Sequence, residues 1–451
     1  MTILKYNQRW SLIFIFLMIL TGCNSNISEK PNTDKGTEKE NPEEGYYNFV
    51  ERDINSISIN EENKITDKMS KSNRKILSMA DAKNLNTNNN FVLLRTFNTQ
   101  LPQGLALNLS YKKHLMPYDY FLTTKDNVKV YNMPSVDGNV VGEFNSLEKI
   151  NLLSEVKGEY IESTKSQKWY AVTWEDNDLG ILYGFVPNGS GEIRSFKFDT
   201  MFSNLKKLED ELNKGKYGYI SNYRDANGSP PLINNKGIDK YGVQAYQSAP
   251  AYSDLNNKKE FRYFPDGMIV FVQGDVKGYY KVKALGYEGT YWIPKEYVSF
   301  DNNIDKLTKA VVVDVTNQNQ AVFEKISGSW NMVSYNLATT GVRSEKMFET
   351  PIGNFKVQEK KDKFEYLNDA TGEIAGYAPY AIRFSQGGYI HGIPVEYVKK
   401  DGEKIDPGMK EELATLGTFP RSHKCVRNYT SHAKFLYNWV SPNDTSVIVF
   451  K

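Results

Sequence analysis

Cysteine is nearly absent from this chain: there are two in 451 residues, Cys23 and Cys425, alongside only four histidines. No CxxC metal site, phosphate-binding glycine loop or dinucleotide fingerprint occurs, which removes the commonest metal and nucleotide chemistries. Basic and acidic side chains nearly cancel, leaving a net charge of +2 and no electrostatic case for nucleic acid. Long apolar runs are also missing. The best, Ser11 to Leu20, falls short of the roughly 20 residues a membrane span takes. What is abundant is aromatic: 30 tyrosines and 23 phenylalanines lie in short alternating runs broken by Gly, Asn and Pro, a mainly β pattern.

The short apolar run has a signal-peptide plan. Lys5 and Arg9 precede it, and Leu20-Thr21-Gly22-Cys23 ends it. That ending resembles a bacterial lipobox. The resemblance implies cleavage after residue 22, acylation of Cys23 and a lipid anchor in the membrane. Residues 23–45 are polar and cannot pack, so they read as a flexible tether. The rest is expected in the cell envelope, outside the cytoplasm. Cys425 is then left without an intramolecular disulfide partner, which suggests a reactive thiol.

Residues 46–118 carry no assignment, although Glu61 to Lys83 has the sparse apolar spacing of one or two exposed helices. Residues 119–198 hold short strands at Val128–Tyr131, Ile150–Leu153, Trp169–Trp174 and Tyr183–Pro187. Residues 236–301 repeat the plan at Val243–Tyr246, Met268–Val272, Tyr279–Lys283 and Tyr291–Pro294. Both resemble bacterial SH3-like barrels, which can bind wall peptides. Trp169, Trp174 and Trp292 read as core packing. Between these modules, residues 199–235 are a helical linker. Its stripe of Phe202, Leu205, Leu208 and Leu212 is expected to pack against a barrel.

The last region, 308–451, opens on the strand Ala310–Val315 and continues as a meander through Trp330–Leu337 to Thr339-Thr340-Gly341. A turn at Thr350–Phe355 leads into a further strand. His432 to Val440 reads as an amphipathic helix and Thr445 to Phe450 as a final strand. Within this region His391 stands in Tyr389-Ile390-His391-Gly392, and Cys425 in Ser422-His423-Lys424-Cys425-Val426-Arg427-Asn428. A thiol needs a base or an electropositive setting to act as a nucleophile near neutral pH, and this segment offers both. The alternative is a small buried core cysteine.

These elements, in this order, resemble the YkuD-type catalytic domain of L,D-transpeptidases. The resemblance implies a β-sandwich that follows the two SH3-like barrels, with a few short helices. It implies cross-linking of peptidoglycan stem peptides: the enzyme attacks an L-centre–D-centre bond, releases the terminal D-residue and passes the acyl group to an acceptor amine. Neither cofactor nor metal is implied. Cys425 would be the nucleophile and His391 its base, with the Gly392 carbonyl orienting the ring. The N–H groups of His423, Lys424 and Cys425 would hold the oxyanion. Arg427 would take a stem-peptide carboxylate or brace the loop, and Tyr389 would line the acyl-donor side. Ser422 and Asn428 would make loop hydrogen bonds. His114 and His432, away from the nucleophile, read as surface or structural residues.

Two features depart from the family pattern. Lys424 stands where glycine is usual. The expectation is an ordinary backbone there, an outward side chain, and a positive charge that makes the thiol more acidic than its usual value of about 8.5. The stretch from His391 to Ser422 is also long, with a charged segment at Lys399–Lys404 and a short helix expected at Pro407–Leu416; such a loop could form a lid. Two alternatives remain: an L,D-carboxypeptidase, with water as acceptor, and an inactive wall-binding lipoprotein.

Overall fold

The structure, a computed structural model, describes residues 91–176, 179–233, 237–344, 347–368 and 371–451. The lipobox, the tether and the helices expected at Glu61–Lys83 lie outside the described residues. No helix among the described residues is long and apolar enough to cross a membrane.

The C-terminal region forms two sheets. Its strands are β1 (Lys309–Asp314), β2 (Asn319–Ile326), β3 (Ser329–Leu337), β4 (Gly353–Lys356), β5 (Glu359–Leu367), β6 (Ile374–Ser385), β7 (Gly388–His391), β8 (Val426–Arg427) and β9 (Thr445–Phe450). One sheet runs β3-β2-β1-β9-β4, and the other runs β5-β6-β7-β8. The run Ala-Val-Val-Val in β1 is unbroken because both faces of its sheet are covered. Val311 and Val313 turn toward the second catalytic sheet, packing with Ile382, Phe384, Ile390 and Val426. Ala310 and Val312 turn the other way, toward α1 (Phe198–Lys214) and its Met201, Leu205 and Leu208. Fully burying a side chain of this size contributes about 1.5–3 kcal/mol, so the β1 run anchors both layers.

The apolar stripe of α1 lies on the β1–β3 sheet and shares its cluster with Ile269 and Phe271 of the second upstream segment, so the barrel segment expected to receive it takes only part of it. Glu209 of α1 fixes it there, accepting from Trp330 Nε1 at 3.1 Å and pairing with Lys325 at 2.5 Å. The unassigned N-terminal region is also partly absorbed. Val92–Thr96 pairs with Lys149–Ile161, and Ala106–Leu107 adds to the edge of the catalytic sheet beside β3.

The two upstream segments form antiparallel sheets of eight and seven strands, and barrel closure does not appear among their pairings. Trp169 and Trp174 are core residues, as expected, while Trp292 is half-buried. The second sheet begins earlier than the sequence suggested, because Tyr217–Ile220 lies inside it between Ile269–Val276 and Val298–Ser299. Val243–Tyr246 is not a strand. Asp239 there caps a turn through the Tyr241 and Val243 N–H groups, and the strand follows at Ser248–Tyr252.

This second sheet is fastened to the catalytic region by polar contacts. Arg383 on β6 pairs with Asp266 at 2.7 Å, both buried. Gln386 donates to Ser248 Oγ at 2.7 Å, and the Lys356 N–H donates to the Gly267 carbonyl at 3.0 Å. The turn after β6 is therefore held from outside the catalytic region.

Candidate active site

His391 ends β7, and Cys425 immediately precedes β8. The two strands run parallel, with His391 opposite Arg427 and Ile390 opposite Val426. The apolar residues of this pair, Ile390 and Val426, are buried in the core and hold the polar strand ends in place. The Asn428 N–H donates to the His391 carbonyl at 2.8 Å and extends the pairing by one residue. The Cys425 sulfur faces back along β7, 3.9 Å from the Gly387 carbonyl, and the Tyr389 N–H donates toward it. The fold thus brings the thiol to the strand that carries the histidine.

His391 is 3% exposed, and its Nδ1 lies 2.6 Å from the Gly392 carbonyl. A carbonyl only accepts, so Nδ1 carries the proton and Nε2 keeps its lone pair. The expected orienting role of Gly392 is present in this geometry. A side chain at Gly392 would meet Thr430 Oγ1 at 2.9 Å and Pro379 Cγ at 3.0 Å, so the close approach of the helix start requires glycine. Burial lowers the His391 pKa to about 4, assisted by the Arg427 charge and opposed by the Gly392 hydrogen bond. The ring is a neutral acceptor at pH 7.

The thiol departs from expectation. Burial pushes the Cys425 pKa up, and the Tyr389 N–H and the charges of Arg427 and Lys424 only partly offset it. Burial of the thiol thus works against the more acidic Cys425 that was expected.

Lys424 corrects the sequence reading in two respects. Its φ is +68°, in the left-handed region, and its side chain is 5% exposed. Its N–H donates to the Phe348 carbonyl at 2.9 Å, so that group is already engaged. Its ammonium lies 5.0 Å from the centre of the Phe348 ring, and burial lowers its pKa to about 8. A β-carbon at φ near +60° costs roughly 1–2 kcal/mol, which the loop's hydrogen bonds must offset.

Those bonds come from the Thr339–Gly341 ending, the Thr350 turn and Ser422. Thr350 Oγ1 donates to the Lys424 carbonyl at 2.9 Å and accepts from the Gly341 N–H at 2.8 Å. Ser422 Oγ bonds the Cys425 carbonyl at 2.5 Å, in line with a loop role. The Val342 N–H donates to the Ser422 carbonyl at 2.9 Å. A side chain at Gly341 would lie 2.7 Å from the Lys424 nitrogen, so the Thr339-Thr340-Gly341 ending is the floor of the cysteine loop. His423 is half-buried with its ring edge-on to Phe348, 5.4 Å between centres.

The remaining expected residues are packed. Tyr389 is 1% exposed and stacks on Phe364 at 4.2 Å, so its ring is core, and its backbone N–H is the part that meets the site. Arg427 is buried, with its N–H and carbonyl both bonded to Thr339. Asn428 Oδ1 is held by Gln320 Nε2 and lies 2.8 Å from His432 Nδ1. His432 sits on α2 (Thr430–Trp439), fully buried, and its Nε2 lies 2.8 Å from Ser334 Oγ. Its structural reading stands and its surface reading does not. Sequence reasoning missed Gln320 and Ser334, because single polar residues in an apolar strand pattern carry no motif. His114 is also structural in setting: it stacks on Tyr429 at 3.9 Å and bonds Glu411 at 2.8 Å.

The long segment after His391 forms a small hairpin, Val398–Lys400 with Glu403–Ile405. Its turn is exposed, and its flank is tied to β5 and β6 through Lys363–Asp406 at 3.1 Å and Tyr377–Asp406 at 3.2 Å. The helix expected at Pro407–Leu416 is absent. Turns replace it, with Leu413 and Leu416 buried and Glu411 bonded to the Ser431 N–H at the start of α2.

No curated protein matches this chain. Solved structures that align with it include a fused zinc-dependent amidase/peptidase/peptidoglycan-binding protein of Clostridium acetobutylicum, at 21% identity over 32% of this chain and 54% of that one, TM-score 0.22. An L,D-transpeptidase of Stackebrandtia nassauensis aligns at 24% identity over 34% of this chain and 60% of that one, TM-score 0.22. One of Mycobacterium smegmatis aligns at 17% over 40% and 80%, TM-score 0.25. This chain thus spans only 54% and 60% of the first two. The family model that matches is the YkuD-type L,D-transpeptidase catalytic domain, and it covers residues 308–449, the two-sheet region that carries His391 and Cys425.

Proposed function

We propose that this protein is a cysteine-dependent L,D-transpeptidase that cross-links peptidoglycan stem peptides through a thioester on Cys425. The observation that supports this most directly is the parallel pairing of β7, which ends on a Nδ1-protonated His391, with β8, which follows Cys425, inside the family-matched region. His391 Nε2 takes the thiol proton as the sulfur attacks the carbonyl carbon of the L-centre–D-centre amide. The tetrahedral oxyanion accepts from the N–H groups of His423 and Cys425. Collapse expels the terminal D-residue, whose amine takes the proton from His391 and leaves the thioester. An acceptor amine then attacks the thioester, forms the new amide and restores the thiol.

With the histidine pKa low and the thiol pKa high, transfer is coupled to attack rather than complete beforehand. The buried site favours such concerted movement, because an isolated charge pair there is costly. Arg427, whose charge acts on both groups, serves as the brace of the loop. The chain is placed in the cell envelope by a lipid on Cys23, with the upstream sheets as SH3-like modules. An L,D-carboxypeptidase shares every step but the acceptor.

Intact mass spectrometry after incubation with a carbapenem tests the reading. One covalent adduct, mapped to Cys425 and lost in Cys425→Ala, is the expected result. A folded protein that forms no adduct would favour the inactive alternative.

A further inference from the structure

A cavity of about 390 Å³ opens between the second upstream sheet and the loop that carries Cys425. Its catalytic wall is Phe348, Thr350 and Lys424, and its opposite wall is Tyr241, Arg262 and Tyr287. Neither wall belongs to the set of catalytic groups. Lys424 is buried, lines the cavity, and makes no ion pair or side-chain hydrogen bond among the described residues. Its charge acts on Cys425, and its ammonium faces the ring of Phe348. A largely buried side chain whose ammonium faces a cavity, with no anion paired to it among the described residues, gains if a ligand supplies one.

Arg262 presents the same situation across the gap. Its guanidinium is sandwiched between Tyr241 at 3.9 Å and Tyr287 at 4.1 Å. Its buried Nε has no hydrogen-bond partner among the described residues. Tyr287 is fixed in turn by its hydroxyl, which donates to the Ile352 carbonyl at 2.9 Å. A guanidinium whose carbon lies over two rings keeps its N–H groups for an anion, and its fork suits a planar carboxylate. Glu288, Glu349 and Lys451, which carries the terminal carboxylate, also line the cavity, but all three are exposed and none pairs with Lys424 or Arg262 among the described residues.

We propose that this cavity is a carboxylate-binding subsite for the peptide that Cys425 works on, with Lys424 as one anchor and Arg262, from the second upstream sheet, as the other. The second sheet is then part of the substrate site and not a spacer. Its attachment through Asp266–Arg383 and Gln386–Ser248 holds the two walls in register. The proposal rests on the transpeptidase reading for the identity of the ligand, although the pocket itself does not.

The test uses the full chain and two probes: a synthetic tetrapeptide ending in D-Ala, with its carboxylates free and with them amidated. Binding is measured by calorimetry, and acylation of Cys425 by mass. The free acid should bind about tenfold more tightly than the amide, the scale of one charge-assisted contact. Arg262→Gln, far from the nucleophile in sequence and on a separate sheet, should erase most of that preference while leaving the alkylation rate of Cys425 by iodoacetamide unchanged. Lys424→Asn, which tolerates the left-handed backbone, should do the same to the binding preference. Arg262→Lys keeps the charge and should retain part of it, which also covers the case in which Arg262→Gln fails to fold. A wild-type protein that binds both probes equally, or variants that keep the full preference, would overturn the subsite. A preference that vanishes in the variants without any acylation would uphold the subsite and sink the transpeptidase reading.

Discussion

Two buried histidines lie in the catalytic region, and they differ in how completely their nitrogens are satisfied. His432 on α2 has a side-chain neighbour at each nitrogen, Ser334 Oγ on one side and Asn428 Oδ1 on the other. His391 at the end of β7 has one, the Gly392 carbonyl at Nδ1, and among the described residues nothing bonds its Nε2. Burial holds both rings neutral, with pKa values lowered to about 4 for His391 and about 3 for His432. Burial and charge state therefore do not separate the histidine proposed as base from a structural one. The unused lone pair does, because only it can take a proton from a substrate or a thiol.

Substitution gives the strongest way to break this comparison. Cys425→Ala should abolish acyl transfer, and His391→Ala should lower the acylation rate by about 100-fold or more, with the melting temperature little changed. His432→Ala should do the reverse. It leaves a cavity in the core and removes one partner each from Ser334 and Asn428, which keep Asn336 and Gln320, and should cost roughly 2–4 kcal/mol in a urea melt, while the protein that remains folded acylates at a near-normal rate. Near-normal acylation in a folded His391→Ala variant would transfer the base to His423 and dissolve the distinction.

Acid sharpens what the two histidines share. Each has a folded pKa below its unfolded value near 6.5, so the unfolded chain takes up the extra proton first. Stability is then fully present above pH 6.5 and declines as pH falls toward 4, by roughly 3 kcal/mol per histidine at the lower end. Urea melts between pH 7 and 4.5 should show this slope, reduced by about one proton in His391→Ala. The acylation rate should not lose His391 to protonation until near pH 4. A fall centred on pH 6.5 would show that the ring is solvated in the working enzyme.

The smallest effect concerns Lys424. Replacing it with glycine removes the left-handed strain and a buried amine but adds chain entropy to the unfolded state, so stability should rise by no more than about 1 kcal/mol. A loss larger than that in thermal melts would mean the packing of the lysine on Phe348 outweighs its strain.

Much of the site was legible because its chemistry is carried by rare residues. With two cysteines and four histidines in the chain, His391 and Cys425 could be singled out before any fold was known, and the run ending in Tyr389-Ile390 put His391 at a strand end. The helix at residues 430–439 and the strands at 309–314 and 445–450 followed from periodicity. The segment 407–416 did not. Leu413 and Leu416 suggested a helix by spacing, but their burial and the tie from Glu411 to α2 are met by turns.

Composition and order along the chain, then, determined that this is a mainly β protein whose C-terminal region holds His391 and Cys425. Tertiary structure alone decided the rest. The direction of the thiol pKa depends on how deeply Cys425 is enclosed, and burial there exceeds the help of two nearby cations. The backbone of Lys424 is set by Phe348, Thr350 and Gly341, residues 74 to 83 positions away in the chain whose only link to the loop is hydrogen bonding and close packing. The cavity beside it is shaped by a sheet that no local pattern connects to the nucleophile. Residue types and their spacing declare which chemistry is available, but enclosure, strain and the pairing of charges are properties of neighbours, and neighbours are assigned only by the fold.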